Sequence, residues 1–486
     1  MKLPAGASGA LAAPLVLTVV LLAWRFWVIP HLGITLYIDE AQYWTWARHL
    51  DWGYFSKPPG VAALIAASIA LFGDGVLGVK ALAMLCYPLA AWVVHAIALR
   101  LYDARIANWA TVTVLTLPMF SWLGLFVSTD ALLTLFWVLA LLAYLRVLAD
   151  DSWANWLLLG LVAGFGLMSK YTMIAWLLAA FLHLALFHRR LLVSPRPWAA
   201  ALLALAILAP NILWNVANDF PTLKHTADIT VNKKAGGGLK ALGEFLAAQW
   251  IAFGPVLGSV FVILLATARR TWRDERLRLL LWFSLPLWAV VCGQAFRSNA
   301  NANWAAPAFA PAAIAVVAWL LQRQRERLLA AGLVANLLLV ATVYHWPDIL
   351  RALQVPEAAK KDPFTRARGW DALGRQLATL VETHPGAVVV AENRTLLAHM
   401  TYELRNLAPP AASWNPGRQK TDHYKLTTDL QPYVGRDILF ITRDPLPDDT
   451  RTRFAGSTHL AQLAAPLDER NALTMDVYLL HDFTGY

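Results

Sequence analysis

Charge is what this sequence has least of. Of its 486 residues only 15% are Asp, Glu, Lys or Arg, while 58% are hydrophobic; soluble domains carry about 25% charged residues. Such a chain has too little polar surface to cover itself in water, and its mean hydropathy of +0.49 places most of it in lipid. Cysteine is almost missing: Cys86 and Cys292 both fall in apolar runs, which excludes a disulfide framework and a cysteine-based metal motif. The region after His345 shows no glycine-rich phosphate loop and no GxSxG motif, and no internal repeat is visible along the chain, which weighs against a transporter built from duplicated halves. The N-terminus begins like a signal peptide, with Lys2 before an apolar run. It has no small-x-small cleavage site and stays apolar to Pro30, so an uncleaved first span is expected. The net charge of +10 does not mark a nucleic-acid surface, because the arginines sit in short clusters between apolar runs.

What is present is a succession of segments long enough to cross a bilayer, for which about 17–25 apolar residues are needed. Eleven are predicted, near 10–30, 78–101, 106–124, 130–149, 154–169, 171–188, 197–215, 245–267, 277–296, 304–322 and 328–346. The run Gly60–Phe72 is shorter and reads as a juxtamembrane helix. The 23 tryptophans and 13 tyrosines suit interfacial belts. With the N-terminus inside, the inner loops collect Arg100, Arg105, Arg146, Arg189, Arg190, Arg196, Arg269, Arg270, Arg273, Arg276, Arg278, Arg323, Arg325 and Arg327. That is the positive-inside pattern. The loop 31–77, the FVSTD turn, the loop 216–244 and everything after about 347 then face outward. Two domains are expected: a membrane domain over 1–346 that includes both outer loops, and a small α/β domain over 347–486. In the latter, VVVAEN (388–393), DILFIT (437–442) and MDVYLLHD (475–482) read as strands. WDALGRQLATLVETH and RTLLAHMTYELRN read as amphipathic helices.

Against this background the outer-face charges stand out. Asp39 and Glu40 follow the first span in YIDEAQYWTWARHLDWGYFSKPPG, and Asp130 opens the fourth in FVSTDALLTLFW. Each is open to two readings, a helix N-cap or a reactive carboxylate whose place beside hydrocarbon marks a functional site. On the second reading one acid takes a proton from an acceptor hydroxyl while the other orients it or holds a partner cation. Lys57 precedes two prolines that keep it out of a helix, and Lys170 sits in GFGLMSKYTM between spans five and six. Either lysine reads as snorkelling to water or as one side of an anion site, a lipid phosphate being the obvious anion. Arg297, in FRSNANANW, adds a third cation. Lys224 and His225 lie on the loop 216–244, where Asn215, Asn218 and Asp219 either line the loop or form turns; its AGGG (235–238) is expected to order on substrate. Arg25, inside the first span, is expected to pair with an acid or to reach the outer surface. His31 and His345 flank spans singly without a partner at ligand spacing, so no zinc site is read.

The motifs DEAQYWTWARHLDWGYFSKPPGVAALI, STDALLTLFW, GLMSKYT and PNILWNVANDFPTLKH resemble, in order, those of glycosyltransferase family 39. That family holds the PMT-type protein O-mannosyltransferases and the aminoarabinose transferase of lipid A. The resemblance runs to NANWAAPAF near residue 310, and beyond it RGWDALG is the best-matching segment. It implies a GT-C fold: an α-helical polytopic membrane protein with about eleven transmembrane helices, juxtamembrane helices in the first outer loop and a small C-terminal α/β domain. It also implies an enzyme of the bacterial inner membrane with its site facing the periplasm. Such an enzyme takes a sugar from a polyprenyl-phosphate donor and passes it, with inversion, to a lipid, glycan or protein acceptor. The catalytic acid of the family falls on Asp39, with Glu40 beside it, and its later acid on Asp130. The donor-phosphate lysines fall on Lys57 and Lys170. Some relatives carry a carboxylate before the KPP lysine that helps bind a metal; Ser56 stands there, so no metal is carried over, and no cofactor is assigned although the family leaves room for a divalent ion. The alternative is a transporter or flippase for an anionic lipid-linked substrate, which needs charged or broken helices near the midplane.

Overall fold

The computed structural model describes residues 7–229, 237–267, 272–356 and 358–486. Arg269, Arg270 and the first two residues of AGGG lie outside them. The chain divides into two compact units: Met1–Val28 with Lys57–Tyr344, and Ile29–Ser56 with His345–Tyr486.

The first unit is helical. Each of the eleven expected segments forms helix, and seven helices among the described residues are long and apolar enough to cross a membrane; a bent pair makes an eighth. Trp153–Ser169 and Met173–Phe187 are shorter apolar helices. Two of the segments expected as single spans are divided at a proline or a glycine. The run near 106–124 divides into Ala104–Thr116 and Pro118–Leu123 at Leu117, where Pro118 has no N–H to continue the ladder. The run near 245–267 bends by 113° between Leu239–Phe253 and Pro255–Ala266. Gly254 sits there at φ 94°, and a Cβ on it would lie 1.8 Å from Asn336 Oδ1, so only glycine permits the bend.

Backbone groups freed in lipid must find partners, and Arg25 is one. It is 2% exposed and donates to the Leu115 carbonyl at 3.4 Å and to Ser121 Oγ at 3.3 Å. Tyr344 Oη donates to the Ser121 carbonyl at 2.7 Å. Arg25 therefore stitches a broken helix, in place of the acid or outer surface expected for it. The segment Ala302–Gln322 is the most enclosed span, 94% buried over its apolar window. Its FAPAAIAVVAW stretch is rich in alanine, and small side chains let neighbouring helices approach closely where lipid gives no hydrophobic drive. Gly160 does the same between Trp153–Ser169 and Arg196–Ala217, since a Cβ there would meet the Ala200 carbonyl at 2.5 Å.

The second unit holds a five-stranded sheet ordered β2-β1-β3-β5-β4. Its strands are β1 (Val388–Ala391), β2 (Ala411–Ser413), β3 (Ile438–Thr442), β4 (Phe454–Pro466) and β5 (Ala472–Phe483). β1 runs parallel to β2 and β3, and β5 antiparallel to β3 and β4. β1, β3 and β5 occupy the three expected strand segments, β1 and β3 apolar and almost wholly buried and β5 buried on alternate residues over much of its length. β2 and β4 did not announce themselves, because β2 has three residues and the small and polar side chains of β4 lie largely exposed. The helices Trp370–Thr383 and Arg394–Glu403 also match.

The loop 31–77, read from sequence as one part of the membrane domain, is divided by its contacts. Residues 29–56 pack within the second unit: Thr35 N–H donates to the Ala367 carbonyl at 2.8 Å, and Trp44 meets Tyr402 edge to face at 5.2 Å. Lys57 onward belongs to the first unit.

Candidate active site

In the first unit several of the candidate residues gather around Asp130. Ser128, before the span Thr129–Ala149, is extended, and Asp130 in the first turn is 1% exposed. Its Oδ1 accepts from the Lys170 ammonium at 2.6 Å and its Oδ2 from the Asn303 side-chain amide at 2.6 Å. Both oxygens are filled by these groups, so Asp130 is a charge partner rather than a helix cap. Lys170 follows the helix Trp153–Ser169 with extended backbone, and only 16% of its side chain is exposed. It is held by a carboxylate and does not snorkel freely. A buried pair of this kind needs its remaining lone pairs satisfied to offset desolvation, and Asn303 does that.

A shell of buried amides fixes the cluster. Tyr171, next to Lys170, donates its hydroxyl to Asn211 Oδ1 and accepts from Asn215 Nδ2 at 3.3 Å. Asn211 and Asn215 lie one turn apart on Arg196–Ala217 and are 0% and 3% exposed. Gln249 Nε2 donates to the Ala302 carbonyl at 2.8 Å, beside Asn303, and Gln249 Oε1 accepts from the Trp288 indole at 3.0 Å. Sequence reasoning passed over Asn303, Asn211 and Gln249. For Asn303 and Asn211 the signal was available as amides repeated within NANANW and PNILWN, in segments that otherwise exclude polar groups. It also passed over Lys80, which is fully buried in the span Val76–Leu101. Lys80 Nζ donates to the Leu125 carbonyl at 3.1 Å and lies 5.1 Å from the Phe126 ring, which fixes the turn leading to Asp130.

The KPPG loop reaches the same neighbourhood. Lys57 is half-buried and Pro58 and Pro59 are buried. A Cβ on Gly60 would lie 2.7 Å from the Met168 carbonyl and 3.0 Å from Ser169 Cα. Glycine thus seats the loop of Lys57 on the helix end that carries Lys170. Arg297 is exposed at the end of Leu285–Arg297. Gly238 N–H donates to the Phe296 carbonyl at 2.6 Å, and a Cβ on Gly237 would meet the Arg297 carbonyl at 2.6 Å. These two glycines of AGGG serve a close backbone approach. Lys224 is exposed and His225 half-buried on Pro221–Ala227, a short helix entered through Asp219 and Phe220 at positive φ.

The second unit contains Asp39 and Glu40, and they do different things. The helix begins at Ile38, and buried Glu40 folds back so that its Oε2 accepts from the Tyr37 N–H at 2.7 Å. Glu40 closes the helix start, as the third residue of a capping box does. Asp39, the expected cap, is left with its side chain 48% exposed and Arg394 Nη2 at 3.6 Å from Oδ1. Arg394 Nη1 also donates to Gln42 Oε1 at 2.7 Å. Arg394, over 350 positions along the chain, was not foreseeable as a partner. Below it the helix is anchored by Trp46 stacked on Tyr54 at 4.5 Å, with His423 edge-on to both at 5.2 and 5.5 Å. Burial pushes the His423 imidazole down to about 4, so it stays neutral.

Residues 56–214 match the family model described as dolichyl-phosphate-mannose-protein mannosyltransferase. The chain is 30% identical over 427 residues to the lipid A galacturonosyltransferase RgtD of Rhizobium johnstonii, covering 86% of this chain and 88% of that protein. It is 26% identical over 363 residues to the undecaprenyl phosphate-alpha-4-amino-4-deoxy-L-arabinose arabinosyl transferase 1 of Pseudomonas fluorescens, over 66% and 61% of the two chains. Its fold matches the crystal structure of ArnT from Cupriavidus metallidurans in the apo state, with a TM-score of 0.66 over 98% of both chains at 16% identity.

Proposed function

This chain belongs to the PMT- and ArnT-type family of membrane glycosyltransferases, and from that membership we propose that it transfers a hexuronic acid from a polyprenyl phosphate to a lipid A-type acceptor. The observation that carries the reading is the similarity to a lipid A galacturonosyltransferase along 88% of that protein's length. A polyprenyl-phosphate donor is supported by the name of the arabinosyl transferase relative. The chain is an enzyme, which sets aside the transporter or flippase reading.

The chemistry we propose is a displacement at the anomeric carbon, on the periplasmic face of the inner membrane. The acceptor oxygen forms the new glycosidic bond, the bond from the anomeric carbon to the phosphate oxygen breaks, and polyprenyl phosphate leaves with the electron pair. Asp39 takes the acceptor's proton. It is the suited carboxylate because it is half-exposed and loosely held, whereas Asp130 has both oxygens occupied. A positioned base contributes roughly 10²–10⁴-fold. Lys57 and Arg297 stabilise the charge that develops on the leaving phosphate. The ammonium of Lys170 is already balanced by Asp130, so its part is to position the cluster and to add a weaker pull on the phosphate. Lys224 and His225 are proposed contacts for the acceptor or the donor sugar. Where the acceptor oxygen belongs to an already ionised phosphate, Asp39 positions it instead of deprotonating it.

The test is mass spectrometry of lipid A from cells with and without the gene. A gain of one hexuronic acid residue on lipid A is expected. A pentose in its place overturns the sugar, and a change confined to the core oligosaccharide or to protein overturns the acceptor.

A further inference from the structure

Histidine and aspartate come together at one further place, where the two chain segments of the second unit meet. Helix Ala7–His31 ends on His31, and His345 follows directly after helix Glu326–Tyr344. Read singly from sequence they had no partner at ligand spacing; the structure corrects this by placing both on Asp348. His31 Nε2 lies 2.7 Å and His345 Nδ1 3.1 Å from the same oxygen, Asp348 Oδ2. Among the described residues this is the one group of three whose ligand atoms all lie within 4.8 Å of one another.

We propose that His31, His345 and Asp348 form a binding site for a divalent transition metal of the zinc class, which cross-links the two segments of the second unit. Three features carry it. The donor set is two imidazole nitrogens and one carboxylate, a combination that suits zinc and its neighbours rather than calcium or magnesium. The arrangement differs from the other histidine–aspartate contacts of this unit, His459 with Asp476 at 2.8 Å and His481 with Asp437 at 3.4 Å. In each of those, one imidazole meets one carboxylate. Here two rings from distant parts of the chain aim at one oxygen, and a cation between three such atoms needs only small outward shifts to reach ligand distances of about 2.0–2.2 Å.

The third feature is the surroundings. Arg351 Nη1 donates to the other oxygen, Asp348 Oδ1, at 3.3 Å. That contact orients the carboxylate with Oδ2 toward the histidines, as outer partners of metal ligands do. The three side chains are each about one-third exposed, 33% for His31, 31% for His345 and 32% for Asp348. This leaves an entry path and room for water at a remaining coordination position. A clip between residues 317 apart restrains a very long loop, where a cross-link removes much of the unfolded chain's freedom. None of its three residues is among those proposed for sugar transfer, and the site does not depend on that proposal.

The experiment uses the full chain, purified in detergent with a tag that contains no histidine, stripped with chelator and incubated with zinc chloride. Elemental analysis after gel filtration should give about one zinc per chain. His31→Ala and His345→Ala should lose it, while His459→Ala, a control from an ordinary pair, should keep it. Arg351→Ala should weaken zinc binding by roughly 10–100-fold. Cobalt(II) added to the wild-type chain should produce a visible absorption band that zinc displaces, a readout that needs no variant to fold. Wild-type chain that takes up no zinc and shows no cobalt band overturns the proposal. So does zinc retained in the folded His31→Ala and His345→Ala variants.

Discussion

Two carboxylates, one in each unit, contrast in what surrounds them. Asp130 is 1% exposed and has a cation on one oxygen and an amide on the other. Asp39 has its side chain about half exposed, and its nearest cation stands at 3.6 Å on a side chain that is itself 42% exposed. Both acids open helices near predicted membrane boundaries and look alike in sequence. Their surroundings separate them: Asp130, with both oxygens engaged, organises its neighbours, whereas Asp39, held loosely, is the one we propose as the base. Glu40 sharpens the point, since it sits beside Asp39 and spends its charge on the backbone at its own helix start.

Three substitutions test that division. The largest expected effect is on transfer in Asp39→Asn, which should fall by roughly 10²–10⁴-fold, with elution and thermal unfolding unchanged because the side chain is half-exposed. Near-normal transfer in this variant removes Asp39 as the base. Next is Lys170→Ala, which leaves the Asp130 carboxylate buried with only Asn303 for company. Breaking a buried pair costs about 3–5 kcal/mol, so the melting temperature in detergent should drop sharply, and Asp130→Asn combined with Lys170→Ala should recover part of the loss. A melting temperature unchanged by Lys170→Ala ends the view of this pair as an organising element. The smallest effect belongs to Arg394→Ala, whose contact with Asp39 is partly exposed. Such pairs contribute less than about 1 kcal/mol, so stability should hardly move. Transfer should decline by roughly fivefold at most, with Arg394→Lys between the two. A loss as large as that of Asp39→Asn would move Arg394 from a positioning role to direct contact with substrate.

Much of the architecture was legible in the chain. Apolar length alone located the helices, and the shift in composition after His345 located the sheet, because both follow from where water is excluded. The two broken segments were not legible as breaks. Proline and glycine mark where a helix is weak, but whether it bends depends on what catches the freed groups, as Arg25 and Tyr344 do around Pro118. The buried amides were missed for a related reason: an asparagine in a span signals a polar contact without naming its partner.

Taken alone, the sequence settled that this is a polytopic helical membrane protein with a small α/β domain, since lipid leaves a backbone few alternatives. Its ordered motifs also led to the family. Tertiary structure decided which charges meet: Lys170 with Asp130, Arg394 with Asp39, and two histidines with Asp348. Apart from His345 and Asp348, these partners lie 40 to 355 positions apart and share no local pattern, and only packing determines which of them lose water together and which keep it.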